Sequence, residues 1–188
     1  EQGIPQLLGF GQDALIAYFG KAVDTYDGQL DPEQAACTIL NYRAGATEPN
    51  AISRFAATIP VACAAFPGAE HGALVAASRS VEEDGSAAGN TVLFRVSPGT
   101  GLARETATLA QPVAGLLPFK QDVIVLLRGG DIRVYAEPLD RHLKLAHLAY
   151  RHIDWSFSPT ADTLLVTSYP QSHAAGEPNA PLQAVALH

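Results

Sequence analysis

One pattern of short strands recurs four times along this chain, and a recurring unit constrains a fold more than any single motif does. An acidic residue or a glycine precedes an aliphatic run at Asp13-Ala14-Leu15-Ile16-Ala17, Gly72-Ala73-Leu74-Val75-Ala76, Asp122-Val123-Ile124-Val125-Leu126 and Asp162-Thr163-Leu164-Leu165-Val166. A second strand-like run follows each, starting at Cys37, Thr91, Asp131 and Pro181. An alternating run comes next at Ala51 to Ile59, Leu102 to Leu109 and Arg141 to Leu148, and the fourth copy has none. A further run precedes each unit at Gln6 to Phe10, Val61 to Phe66, Val113 to Leu117 and Ile153 to Phe157. Pro5, Pro60 and Pro112 lead into three of these, and the first residue of a strand needs no ladder donor.

The offsets test the alignment. The steps from 37 to 61, 91 to 113 and 131 to 153 are 24, 22 and 22 residues. The steps from 6 to 13, 61 to 72, 113 to 122 and 153 to 162 are 7, 11, 9 and 9. Those from 13 to 37, 72 to 91, 122 to 131 and 162 to 181 are 24, 19, 9 and 19, so the variation is concentrated in one loop per repeat. A genuine repeat takes its insertions at one structural position. Each repeat therefore reads as four short strands, a to d, joined as a meander. Gly129-Gly130 reads as a two-residue hairpin between b and c of the third repeat. Ser97 to Gly101 and Glu137 to Asp140 read as turns between c and d. Helical spacing around Leu7 to Tyr18 is interrupted by Gly9, Gly11 and Gly20.

The expected class is thus all-β: four four-stranded meander repeats, at about 4–59, 60–110, 111–150 and 151–188, read as β-propeller blades, the last lacking its outer strand. Ile153-Asp154-Trp155-Ser156-Phe157-Ser158-Pro159 with the run at 162–166 resembles the a–b hairpin of a WD40-type blade. Here Ala161-Asp162 stands where that family usually has Asp-Gly. Gly129-Gly130-Asp131-Ile132-Arg133-Val134-Tyr135 is similar to the family's b–c turn and c strand. No Gly-His dipeptide and no closing Trp-Asp are present. The resemblance implies a scaffold that binds proteins through loops and edges.

A fourth repeat without strand d raises three expectations. The chain is part of a longer propeller of about seven blades; a partner donates the strand by β-augmentation; or the ring has four blades with a truncated last one. In each, Leu182, Gln183, Ala184, Val185, Ala186 and Leu187 form the edge to be completed. The chain has no methionine and opens Glu1-Gln2-Gly3, which reads as a processed product or a piece of something longer.

Composition narrows function. Apolar residues make up 47% of the 188, enough for a core, and the net charge of −7 argues against a broad basic surface for nucleic acid. No run approaches the ~18 apolar residues of a membrane-spanning helix. The long b–c loops carry Asp24, Asp27, Asp31, Glu33, Glu82, Glu83, Asp84 and Glu177 against Lys21 alone. Such loops fit either ordinary solvated surface or a face for a basic partner. Asp24 to Asp31 departs from the alternation of a calcium loop, and Ala35 stands where the closing Glu would be. His142, His147 and His152 are five apart, a spacing that alternates faces along a strand unless it bends. Arg128, Arg133, Arg141 and Arg151 read as solubilising charge, and Tyr150 and Trp155 as packing. Cys37 and Cys63 lie in apolar runs and are expected to be free thiols, as fits an intracellular protein; a bridge would mark an exported one.

No nucleophile elbow, phosphate loop or His-Glu-x-x-His motif is present, so no catalytic residue, metal ligand or cofactor is assigned. The expectation is a non-enzymatic scaffold acting within a larger chain or a multi-subunit complex. The alternative is an exported propeller that binds or hydrolyses a small ligand or glycan.

Overall fold

The computed structural model describes residues 6–10, 13–19, 36–67, 72–81, 87–136, 141–148, 152–158, 163–169 and 183–187. Among them are fifteen strands and no helix. They form four antiparallel sheets, each a meander in chain order. The first holds β1 (Gln6–Phe10), β2 (Asp13–Phe19), β3 (Ala36–Arg43) and β4 (Ala51–Ala56). The second holds β5 (Ile59–Ala65), β6 (Ala73–Val81), β7 (Ala87–Val96) and β8 (Ala103–Leu109). The third holds β9 (Val113–Phe119), β10 (Asp122–Leu127), β11 (Asp131–Ala136) and β12 (Arg141–His147). The fourth holds β13 (His152–Ser158), β14 (Thr163–Tyr169) and β15 (Gln183–Leu187).

Successive side chains of a strand point to opposite faces, and that alternation builds the core. Ala73, Val75 and Ala77 of β6, with Val92, Phe94 and Val96 of β7, pack on Cys37 and Ile39 of the first sheet. Their neighbours Leu74, Ala76 and Leu93 face the other way, onto Val123, Val125, Leu127 and Tyr135 of the third sheet. Ile124, Leu126 and Ile132 then turn toward Val166, Val185 and Leu187 of the fourth. The second and third sheets are therefore covered on both sides, which is why β6 and β10 are continuous aliphatic runs. Aromatic pairs strengthen two junctions: Phe55 stacks on Phe94 at 3.9 Å between centroids, and Phe66 tilts against Tyr135 at 6.1 Å.

Among the first three sheets the first strands come close, with β5 lying against both β1 and β9, whereas the fourth strands approach far less. One hydrogen bond, from the Ala103 amide to Ser53 Oγ (3.0 Å), joins β4 to β8. Another, from the Val113 amide to Thr91 Oγ1 (3.1 Å), ties the start of β9 to β7.

Four details depart from the sequence expectation. Ile59 begins β5 rather than ending β4, so Pro60 is the strand's second residue; a register shift at Val61 accommodates it. The second b–c loop is shorter than expected, because β6 and β7 stay paired out to Val81 and Ala87. The third hairpin has three loop residues, Arg128, Gly129 and Gly130, with the Gly130 amide bonded to the Leu127 carbonyl (2.9 Å). Gly130 takes φ +93°, which fits a turn followed by a left-handed residue. Finally, β12 carries a bulge at Leu145.

Candidate functional site

The expected strand-completion edge is the first candidate. Gln183–Leu187 form β15, in register with β14 through Leu164↔Leu187, Val166↔Val185 and Ser168↔Gln183. Leu182 lies outside the described residues. Among the described residues no strand pairs with the far side of β15. Backbone donors and acceptors without a strand partner are what an incoming strand pairs with. Val185 and Leu187 are half-buried toward the third sheet, while Ala186 is exposed. The eight acidic residues of the b–c loops, Asp24, Asp27, Asp31, Glu33, Glu82, Glu83, Asp84 and Glu177, all lie outside the described residues.

A second constellation was not anticipated. Asp131 opens β11, nearly buried, with Lys144, Arg133 and His147 around its carboxylate. Lys144 Nζ and His147 Nδ1 each stand 2.7 Å from Oδ1, and Arg133 donates to Oδ2 at 3.3 Å. The β12 bulge creates this arrangement. Asp131 pairs with His147, but Arg133 pairs with Lys144 rather than Leu145. The extra residue puts Lys144 and His147 on the same side as Asp131 and turns Leu145 outward, 48% exposed. Partial burial pushes the Asp131 carboxyl up, but hydrogen bonds from Lys144, His147 and Arg133 outweigh it and hold the pKa at about 2. Asp131 is therefore ionised at neutral pH and has no proton to donate there; the cluster ties β11 to β12.

The same bulge alters the histidine argument. His142 pairs with Tyr135 and His147 with Asp131, so the two register positions share a face after all. They stand opposite residues four apart, about 13 Å along a strand, too far for one metal ion. Among the described residues, no three His, Cys, Asp or Glu side chains gather as a metal site would require. Arg133, read from sequence as solubilising charge, is instead an ion-pair partner of Asp131. The signal available was its position two residues from Asp131 on one strand face.

Cys37 and Cys63 are free and share the core between the first and second sheets. Burial pushes the Cys37 thiol up to about 12, with nearby Cys63 adding to the effect, and burial pushes Cys63 to about 11. Both are neutral at ordinary pH and poor nucleophiles, since the thiolate is the reactive form.

No helix among the described residues is long and apolar enough to cross a membrane. No family model matches the chain, and no curated protein does either.

Proposed function

We propose that the chain is a non-enzymatic protein-interaction scaffold, a WD40-like propeller segment working within a larger chain or a multi-subunit assembly. The observation that carries this reading is the stacking. Successive sheets meet face to face in chain order, and in the first three the first strands lie closer together than the fourth strands do. Blades set around an axis have that geometry. The side of β15 that no described strand pairs with gives such a scaffold a place to take an extended segment by β-augmentation. The acidic b–c loops enter the proposal from the sequence alone, as a face for a basic partner whose attraction salt would screen over ~10 Å at 0.1 M.

Amide exchange tests the reading. In the protein as isolated with its natural partners, the amides of Gln183–Leu187 are expected to exchange as slowly as those of β11, which is paired on both sides. Fast exchange along β15 in that preparation, with β11 protected, would overturn the proposal that a segment pairs there.

A further inference from the structure

We propose that Cys37 and Cys63 form a reversible disulfide that locks the first sheet to the second. The inference rests on the packing between those two sheets and not on the scaffold reading, so the two can fail separately.

Alternation along each strand sends both thiols into one junction. On β3, Cys37 and Ile39 face the second sheet. On β5, Ala64 and the following Phe66 turn toward the third sheet, while Cys63 and Ala65 turn toward the first. The strands that carry them approach each other, because β5 comes close to β3 as well as to β1 and β2. A disulfide needs Cα atoms within ~7 Å of each other, a separation that only closely approaching strands offer. Cys63 stands opposite Val75 in β6, and Cys37 opposite Phe55 in β4, whose ring stacks on Phe94. Cys37 is fully buried in this core and Cys63 half-buried. They are near enough for charge on Cys63 to oppose ionisation of Cys37. The hydrogen bond from Ala103 to Ser53 ties the same junction at its outer strands; the bridge would tie it at β3 and β5.

The oxidant is a low-molecular-weight disulfide such as oxidised glutathione. Cys63, the more accessible thiol, gives up its proton and attacks one glutathione sulfur, releasing the first glutathione thiolate. Cys37, deprotonated in turn, attacks Cys63 Sγ and expels the second. The two cysteines lose two electrons and two protons, and one glutathione disulfide becomes two thiols. Neutral buried thiols attack slowly. Exchange therefore runs while the two sheets are still closing or have parted, and burial then shields the finished bond from reductants.

Refolding the purified chain from urea in a glutathione redox buffer tests this. The product is expected to be two hydrogens lighter by intact mass, with Cys37 linked to Cys63 in its peptide map. Its urea midpoint is expected to lie about 1 M above that of the reduced chain. Added reductant is expected to cleave the bond at least tenfold faster in urea than in the folded protein. Cys37→Ser and Cys63→Ser, which cannot form the bridge, are expected to show no such rise. A refolded chain with two free thiols, or with glutathione on each, overturns the inference. So does a bridged chain that unfolds at the same urea concentration as the reduced one, or whose bond is cleaved as fast when folded as in urea.

Discussion

β6 and β14 are the second strands of the second and fourth sheets, and they carry closely similar aliphatic runs. In β6 every residue from Ala73 to Ala77 is buried, because sheets cover both its faces. In β14 Val166 is buried and Leu165 beside it is exposed. Nothing in the strand itself accounts for this difference; the neighbouring sheets do. Burial in a stacked architecture is a property of position in the stack, and the same run of aliphatics stabilises the fold by different amounts in the two places.

The sharpest way to break this comparison is a matched pair of charges. Val125→Asp in β10 puts a carboxylate at a fully buried site between the second and third sheets. It is expected to cost about 4 kcal/mol or more, through an unpaired buried charge. Leu165→Asp, measured at dilutions where the chain is alone, is expected to stay within about 0.5 kcal/mol of the wild type. Urea unfolding of both variants checks the pair, and equal losses would mean that the two positions are not differently covered.

Next in size is Gly72→Ala. Gly72 leads into β6 at φ +75°, and an added Cβ would run into the Val96 carbonyl oxygen. The loss is expected to be about 3 kcal/mol, from strain and displaced backbone together. Gly99, at φ +79° with open space around it, isolates the dihedral term. There Gly99→Ala is expected to cost only about 1 kcal/mol.

The junction between the first and second sheets is expected to weaken in alkali. Both thiols have folded pKa values above their ordinary 9.0, at about 12 for Cys37 and about 11 for Cys63. The folded state therefore holds its protons more tightly than the unfolded state does. Their contribution is fully present below pH 9 and is lost as pH rises toward those folded values. One unit above 9 the loss is about 1 kcal/mol for each thiol. Comparing the pH dependence of unfolding in the wild type and Cys37→Ala isolates the contribution of Cys37, and parallel curves would refute it.

The smallest effect is expected at Asp131. Its folded pKa lies below the ordinary value of 3.8, so the stability it adds is present above that value and fades as pH falls toward about 2. Lys144 and His147 are half-exposed, so solvent screens the pairs. Asp131→Asn is expected to cost about 1 kcal/mol at neutral pH, and its acid unfolding curve should converge on the wild type near pH 2.

Strand order was legible because period-two alternation and turn residues are local signals. The runs at 73–76, 92–94, 123–126 and 163–166 are strands in the structure, and Leu74, Val75, Val92, Phe94, Val123, Val125 and Val166 are buried as their spacing implies, while the side chain of Leu164, expected in the same core, lies outside what the structure describes. The Asp131 cluster was not legible. It depends on one extra residue in β12, and a bulge of that kind follows from pairing with a neighbouring strand. Pro60 was misplaced by one position for a similar reason, since the adjoining register shift lets a residue without an amide proton sit inside the strand.

The sequence by itself determined a chain of antiparallel meanders and which residues of each strand lie on one face together, because the extended backbone alternates its side chains whatever surrounds it. Only the tertiary structure decided which faces are covered, that Cys37 and Cys63 share one core, and that Arg133, Lys144 and His147 converge on Asp131. Those outcomes depend on which sheets stack and where a register shifts, and both are set by contacts between residues far apart in the chain.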